Sequence, residues 1–365
     1  MHSCRAAVVS LSLLLLPTAS HAATFTYSTG APDFQMATAS HPTGAAIEVE
    51  TADDFTTTGC TTITNATFFG LLPSAAPLSS ITSVGVEIYR IFPLDSTNPP
   101  SGQSPTRNNS PSDVAFDSRD SLASQLTFTP AVIAPSATAL NTVVTGIHPF
   151  PNQTTGGDGA FSGEEVQINV IFTTPFALPA GHYFIVPQVA LTSGNFLWLS
   201  APKPNPAPAD LQSWIRNAAL APDWLRIGTD IVGGATPPQF NAAFSLSGTT
   251  SAITVNANNG SPLTDAQGLP TSTTFTGSGG TGPYTFTETG ALPAGVTLTS
   301  AGVLSGTPQA MGTFPITVTA TDSNGCTGTL DFTLNVIAPV PVLDVRLLVL
   351  LAAMLSAIAL RALVR

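Results

Sequence analysis

The sequence predicts an all-β protein: a jelly-roll-like β-sandwich followed by an immunoglobulin-like β-sandwich, with a signal helix before them and a transmembrane helix after them. Three observations predict this class. Runs of β-branched and aromatic residues recur along most of the 365 residues, stretches rich in Pro, Gly, Asn and Ser separate them, and only 8% of residues are charged. Solubility must then come from Thr, Ser and Asn, as in many exported β-rich proteins.

The N-terminus has the three-part form of a secretory signal peptide, predicted over residues 1–22. An early basic residue precedes an apolar core, and Pro17 and small residues follow it. The small residues Ser20 and Ala22 predict cleavage before Ala23. A buried N-terminal helix is the alternative, but Pro17 and the polar stretch after it would end such a helix.

Residues 23–249 are predicted to form the first sandwich, whose ligand the sequence leaves open. Short runs such as TTITNATFFG and HYFIVPQVAL lie between its turns. In VGVEIYRIF the residues alternate in character, so Val84, Val86 and Ile88 are expected to face inward, with Arg90 at the strand end.

One segment of this domain, PADLQSWIRNAALAPDWLRIG, breaks the β pattern and predicts a short helix. Asp210 can cap its start and Pro222 would end it. Trp214 and Trp224 are expected to press this helix onto the sandwich, and the alternative is a platform of exposed rings that stack on a sugar. The residues expected to share one face of the helix are Leu211, Trp214, Ile215 and Ala218.

A second domain is predicted over residues 250–338, where the composition shifts to Thr and Gly. Its strand-like runs have the spacing of an immunoglobulin-like sandwich. The glycines suit tight turns and the prolines suit fixed turn corners. The motif residues are Gly282, Pro283, Tyr284, Leu292, Pro293, Gly295, Leu298, Gly302, Leu304, Ser305, Gly306, Thr307, Pro308, Gly312, Thr313, Phe314, Thr321, Asp322 and Gly325.

The order and spacing of these residues, over about residues 254–337, resemble the immunoglobulin-like repeat of bacterial surface proteins. That family is related in fold to cadherin-like domains. The resemblance therefore implies an extracellular structural or adhesive module rather than a catalytic one.

Residues 339–365 are predicted to form a tail with a transmembrane helix at about residues 347–364. The uncharged stretch Leu347–Leu360 would span about 21 Å as a helix, against a hydrocarbon core of roughly 30 Å. Arg361 and Arg365 can lengthen the span by snorkelling, and they place the C-terminus in the cytoplasm.

The three parts of this tail, a short motif, a hydrophobic helix and terminal arginines, resemble C-terminal sorting signals of Gram-negative bacteria of the PEP-CTERM kind. VPVLDV resembles their Ile-Pro-Thr-Leu type, since it keeps Pro341 and Leu343 but has Val340 for Ile and Val342 for Thr. In that family a membrane protease is thought to remove the helix, so the resemblance implies an inner-membrane sorting protease as a partner. A plain single-span anchor is the alternative.

Two cysteines remain in the exported chain, Cys60 and Cys326, and they fall in different predicted domains. A disulfide needs Cα atoms within roughly 7 Å, so the two would pair only if the domains dock closely. The sequence favours two buried thiols and leaves the pairing open.

The charge excludes one class of partner. The net charge is −11 with only 10 basic residues, whereas nucleic-acid binding needs a Lys/Arg surface. The histidines of the exported chain, His41, His148 and His182, have no metal-binding spacing. His148 lies in the long loop GIHPFPNQTTGGDG, which could ligate a metal or bind a glycan, or serve as a rigid connector.

Acidic residues suggest two kinds of site. Glycoside hydrolysis needs two facing carboxylates, but the neighbours Glu164 and Glu165, like Asp53 and Asp54, would point to opposite faces of a strand. Calcium is the second candidate, because turn-rich acidic segments offer oxygen ligands. The ETADDF segment and the loop PSDVAFDSRDS would contribute such ligands. In the second domain, Asp322 stands where cadherin-like domains often place a calcium-facing aspartate. Turn formation by the sequence DSNG explains this aspartate equally well. The calcium candidates are Asp113, Asp117, Asp120 and Asp322.

These observations predict a non-enzymatic protein that is exported through the inner membrane and tethered transiently, and then reaches the cell surface or the extracellular matrix. Its expected role is adhesive, structural or associated with exopolysaccharide. The alternative is a secreted polysaccharide-active enzyme in which the second domain is a spacer.

Overall fold

The computed structural model describes residues 22–43, 47–74, 76–96, 104–147, 154–203, 210–339, 349–350 and 352–355. Almost all regular structure in these ranges is β-strand, which confirms the all-β, sandwich class. The chain divides into two compact units, Met1–Ala252 and Ile253–Arg365.

Several predicted features lie outside the described residues: the signal helix, His148, Pro341 and Leu343. Of the predicted tail helix, residues 349–350 and 352–355 are described, and they are helical and exposed. Within the described ranges, no helix is long and apolar enough to cross a membrane.

The first unit is a sandwich whose described strands form one nine-stranded and one six-stranded sheet. A 3₁₀ helix (Leu78–Ser80) and a π-helical turn (Ile227–Val232) interrupt them. The strands are β1 (Ala23–Ser28), β2 (Ala37–Ala39), β3 (Val49–Thr57), β4 (Cys60–Pro73), β5 (Ile81–Arg90), β6 (Asp117–Asp120), β7 (Leu126–Ala139), β8 (Thr142–Val143), β9 (Phe161–Leu178), β10 (Gly181–Leu191), β11 (Leu197–Ala201), β12 (Trp214–Asn217), β13 (Leu225–Arg226), β14 (Asn241–Ala242) and β15 (Phe244–Ser251).

The order of the six-stranded sheet is β13-β12-β3-β10-β5-β6. In the nine-stranded sheet β4 is central: it pairs with β9 along one edge and with β15 and β11 along the other. β7 lies beyond β9 and β1 beyond β15, while β2, β8 and β14 continue from β11. β12 and β13 therefore form one edge of the smaller sheet, and the site described below lies there.

The main core fills the space between the two sheets. Phe68 and Ile168 of the larger sheet are fully buried in it together with residues of β5 and β10. The predicted alternation in β5 is confirmed, since Val84, Val86 and Ile88 are all fully buried in this core.

The opposite face of the smaller sheet is covered too. Tyr89, the neighbour of Ile88, is buried there in a second cluster with Trp214 and Trp224. Its ring meets Trp224 edge to face, with centroids 5.4 Å apart. The six-stranded sheet is thus buried on both faces around β3, β5 and β10.

The predicted helix in PADLQSWIRNAALAPDWLRIG is wrong. Trp214–Asn217 is instead strand β12, which pairs antiparallel with β3, Trp214 opposite Ala52. Trp214 packs in the tryptophan cluster, whereas Ile215 packs in a separate core on the other face. Because both faces of β12 are buried, its apolar residues lose the two-residue alternation and match a helical spacing by coincidence.

The second unit consists of two four-stranded sheets in its described part, ordered β16-β18-β21-β20 and β17-β23-β22-β19. Phe275 of one sheet and Phe332 of the other pack edge to face, with centroids 5.1 Å apart, and both are almost fully buried. The strands are β16 (Thr254–Ala257), β17 (Leu263–Ala266), β18 (Thr271–Ser278), β19 (Thr285–Gly290), β20 (Val296–Leu298), β21 (Val303–Gly306), β22 (Gly312–Thr321) and β23 (Thr327–Ile337).

Cys60 and Cys326 are each in the disulfide-bonded state. The expectation of two thiols is therefore wrong. It rested on the predicted separation of the two cysteines into different domains, and that separation does not determine their oxidation state.

Two glycines of the second unit allow a test of why its sequence motif requires glycine. Gly306 has φ +143°, and a Cβ there would lie 1.9 Å from the carbonyl oxygen of Gly295. Gly268 has φ +79° and no heavy atom within 4 Å of the same position. We expect Gly268→Ala to cost about 1 kcal/mol of unfolding free energy from backbone strain alone.

Gly306→Ala should cost more than about 3 kcal/mol, because the backbone of β20 must also move away. Differential scanning calorimetry of the two variants measures both effects. Equal losses of unfolding free energy in the two variants would show that the close contact of position 306 with the Gly295 backbone does not affect stability.

Candidate ligand site

A pocket of about 350 Å³ opens in the first unit at the edge formed by β12 and β13. One wall is the loop between β5 and β6, and the other is the chain that leads into β12. Arg226, at the end of β13, completes the wall. The described lining residues are Thr106, Asn108, Asn109, Leu211, Gln212, Trp214 and Arg226.

Buried ion pairs hold the loop wall in place. The guanidinium of Arg107 bonds the Asp113 carboxylate at 2.7 Å and the Asp223 carboxylate at 2.9 Å. All three side chains are almost completely buried, and the guanidinium also lies 4.4 Å from the ring centroid of Phe92. Removing one partner of such a pair typically costs about 3–5 kcal/mol, so the loop has a fixed position on the sheet.

The conformation of the loop presents its asparagines at the surface. The backbone N–H of Asn108 donates to Thr106 Oγ1 at 3.0 Å, and Asn109 has φ +62°. Asn is one of the few residues that adopt this left-handed conformation readily. Both asparagine side chains are exposed beside the pocket.

The second wall is held by the acidic pair of β3. Asp54 accepts a hydrogen bond from the backbone N–H of Leu211 at 2.9 Å, and Asp53 accepts one from Ser213 Oγ at 2.9 Å. The Lys203 ammonium donates to the carbonyl oxygen of Leu211. These bonds position Leu211 and Gln212, and both residues line the pocket.

Burial raises the pKa of both carboxyl groups of this pair, well above the ordinary range for Asp53. Asp53 is fully buried, and the charge of Asp54 adds to the effect. Asp54 also lies 2.5 Å from His182 Nε2, and this hydrogen bond lowers the pKa of Asp54 and partly offsets the effect of burial. Asp53 and Asp54 thus serve to fix main chain, and neither lines the pocket.

The pocket offers several hydrogen-bonding groups. Gln212 accepts a bond from Thr229 Oγ1 at 3.1 Å through Oε1, and in the described residues its amide nitrogen has no partner. Arg226 bonds Asp230 through Nε at 3.0 Å and Nη2 at 2.7 Å, so its charge is largely neutralised. Trp214 Nε1 is buried without a hydrogen-bond partner in the described part of the chain.

A buried polar network lies behind this wall. The Tyr89 hydroxyl is 2.7 Å from Glu50 Oε1 and 2.7 Å from Glu87 Oε2, while Arg216 forms an ion pair with Glu50. The Tyr89 hydroxyl has one proton, so it can donate a full hydrogen bond to only one of the two carboxyl groups at a time. Burial, followed by the charge of Glu50, raises the pKa of Glu87 to about 7.

The tryptophans do not form a sugar platform of exposed rings. Trp214 is 1% exposed and Trp224 is fully buried. The indole N–H of Trp224 donates to the carbonyl oxygen of Ser112 at 3.1 Å. Trp214 lines the pocket, but its ring is not exposed for stacking on a sugar.

Within the first unit, the calcium candidates Asp113, Asp117 and Asp120 have other partners in the described part of the chain. Asp113 pairs with Arg107, and Asp117 pairs with Arg119 at 2.5 Å. Asp120 accepts a bond from the Leu122 backbone N–H at 2.7 Å. In the described residues no three His, Cys, Asp or Glu side chains form a group that could hold a metal ion.

Asp322, in the second unit, is buried in a turn. Its carboxylate accepts bonds from the backbone N–H groups of Thr281, Asn324 and Cys326 at 2.8–2.9 Å. This is the turn-forming role that DSNG suggested as the alternative. Calcium binding stays a prediction.

The other predicted site residues lie apart from the pocket. Glu164 and Glu165 are both in β9, where Glu165 is buried and Glu164 is partly exposed. Ala22 is exposed, and Ala23 is the first residue of β1, paired with Thr250 of β15. Sequence reasoning did not identify Asn108, Asn109, Gln212 or Arg226, although the polar run TRNNS between two proline-containing segments was a usable signal.

Comparison with known proteins gives one family match, to the model described as "Putative Ig domain", over residues 233–337. It confirms the immunoglobulin-like repeat, and it starts before the second unit, which begins at Ile253. No curated protein matches the chain. The match says nothing of the sorting signal, which stays a prediction.

Two solved structures from Bacteroides fragilis show a partial likeness. One is titled a putative alpha-galactosidase and the other a putative alpha-galactosidase/melibiase; each is 19% identical over 23% of this chain, with TM-scores of 0.21 and 0.20. The chain spans only 17% of the length of each. At these TM-scores the likeness carries no argument.

The raised pKa of Glu87 predicts a pH dependence of stability. Its pKa in the folded protein is about 7 instead of 4.5, so the folded state binds more protons than the unfolded state between these values. The free energy of unfolding should therefore fall as pH rises from 5 to 8, by on the order of 2 kcal/mol from this group. Urea denaturation followed by tryptophan fluorescence measures it.

Glu87→Gln imitates the protonated carboxyl and should flatten this part of the profile. Glu164→Gln, on β9, is the matched control and should leave the profile as in the unaltered protein. A Glu87→Gln profile as steep as that of the control would show that Glu87 does not hold the proton.

Proposed function

We propose that the protein is a non-enzymatic exported protein of the cell envelope or extracellular matrix, with an adhesive, structural or exopolysaccharide-associated role. The immunoglobulin-like unit is the observation that carries this proposal, because residues 233–337 match that family model and the strands from Thr254 onward in this range form two packed sheets. The low charge and the abundance of Thr, Ser and Gly also suit an extracellular β protein.

Binding without chemistry suits the pocket better than hydrolysis. Glycoside hydrolysis uses two carboxyl groups about 5–9.5 Å apart across the bond that is cut. The described lining residues carry amide, hydroxyl, indole, guanidinium and aliphatic groups, and none carries a carboxyl or imidazole group. The buried pairs at Asp53 and Asp54 and at Glu50 and Glu87 are used to hold the fold.

The proposal includes the route of the protein. A signal peptide directs it through the inner membrane, the tail holds it there transiently, and a membrane protease releases it to the cell surface or medium. Ala23 starts strand β1, so cleavage before Ala23 would leave every residue of that strand in place. Calcium, if it is bound, would contribute to stability and not to chemistry.

Both ends of the exported protein should therefore be processed. Mass spectrometry of the protein from the surface fraction of a Gram-negative host should find Ala23 as the first residue and a last residue near Asp344. Pro341→Ala should slow release from the membrane fraction, because proline keeps the segment extended for binding in a protease cleft.

Pro270→Ala is the control for that variant. Pro270 is exposed in the second unit, so its replacement should leave the rate of release unchanged. Surface-fraction protein that still begins at Met1 would contradict export by the signal peptide. Protein that still ends at Arg365 would show that the tail is an anchor.

A further inference from the structure

The pocket bounded by Asn108, Asn109, Gln212 and Arg226 has the properties of a built binding site. Its volume of about 350 Å³ lies within the roughly 300–1,000 Å³ of small-molecule sites. Its two walls are held by separate buried interactions, the Arg107 ion pairs and the Asp54 bond to Leu211. A preformed site loses little conformational entropy on binding, so modest contacts suffice for affinity.

The groups in the wall suit a ligand that both donates and accepts hydrogen bonds. The Asn108 and Asn109 amides each offer a donor and an acceptor, and Gln212 adds an amide nitrogen without a partner in the described residues. Trp214 contributes an indole ring whose buried N–H has no partner in the same ranges. Leu211 adds an apolar surface. Neighbouring hydroxyls on a pyranose ring have this mixed donor and acceptor character beside apolar C–H faces.

The charges of the pocket and of the whole chain favour a neutral saccharide over an acidic one. The Arg226 guanidinium is paired through two nitrogens with Asp230, so it attracts an anion only weakly. The chain as a whole carries a net charge of −11, which repels polyanions at long range. An acidic glycan is therefore disfavoured relative to a neutral one.

We propose that this pocket binds a neutral saccharide, a chain or chain end of uncharged hexoses, without cleaving it. This proposal adds a ligand class to the exported protein proposed above. It rests on the proposed function in one respect, that export is what brings the protein into contact with the glycan. The amides of the loop wall and Gln212 bond the sugar hydroxyls, and Leu211 contacts its apolar face.

Isothermal titration calorimetry of the purified protein tests this, with hexasaccharides of glucose, galactose and mannose as neutral probes and a hexamer of galacturonic acid as the acidic probe. We expect at least one neutral probe to bind, and the acidic probe to bind at least tenfold more weakly. Preferential binding of the acidic probe, or no binding of any probe, would overturn the proposal.

Substitutions in the two walls locate the site. Asn108→Ala, Asn109→Gly and Gln212→Ala remove side-chain amides at surface positions, and glycine keeps the left-handed backbone of residue 109 unstrained. Each should weaken binding of the neutral probe at least fivefold, while Asn259→Ala, an exposed asparagine of the second unit, should leave it unchanged. Full affinity in all three wall variants would place the saccharide elsewhere and overturn the assignment.

The outcome is separable from the proposed function. Gln212→Ala should be exported and processed like the unaltered protein, because Gln212 is far in sequence from both processing sites. Loss of binding with normal processing supports the site. Unprocessed but normally binding unaltered protein contradicts the proposed export route and still supports the saccharide site.

Discussion

The structure of the first unit depends on satisfying the carboxylates that β3 places in its interior. Glu50, Asp53 and Asp54 are 6%, 0% and 2% exposed, and each would be costly to bury alone. Arg216 pairs with Glu50, Ser213 donates to Asp53, and the Leu211 backbone and His182 bond Asp54. These bonds to the buried carboxyl groups hold the chain at 211–216 against β3.

This requirement explains how a strand that looks helical in sequence joins the sheet. With β12 on the edge of β3, Trp214 enters the tryptophan cluster on one face and Ile215 enters the other core. The backbone pairing of β12 with β3 and the side-chain bonds from Ser213 and Arg216 to the carboxyl groups of β3 then stabilise the same arrangement. The pocket forms as a consequence, because Leu211 and Gln212, just before β12, line it together with the loop that Arg107 holds.

Buried polar groups behind the pocket have a structural role that their chemistry alone would not reveal. A buried carboxyl group with a raised pKa, such as that of Glu87, often marks a catalytic site. Here Glu50 and Glu87 share the Tyr89 hydroxyl and the Arg216 charge within a packed wall, so the same electrostatics contribute rigidity. A rigid wall with neutral hydrogen-bonding groups at its surface is better suited to recognition than to acid–base chemistry.

The sequence by itself determined the all-β class, the inward face of β5 and the immunoglobulin-like unit, because each is a local property of the chain. Alternation gives the buried face of a strand, and glycine at a position such as Gly306 is required by φ and by the backbone of Gly295. The tertiary structure alone decided that Trp214–Asn217 is a strand, that Asp53 and Asp54 hold main chain, and that Asn108 and Gln212 border one pocket. These outcomes depend on partners more than 100 residues apart in the sequence, as with Arg107 and Asp223 or Asp54 and Leu211. No local pattern records such pairings, because burial and charge satisfaction are decided only when the sheets pack together.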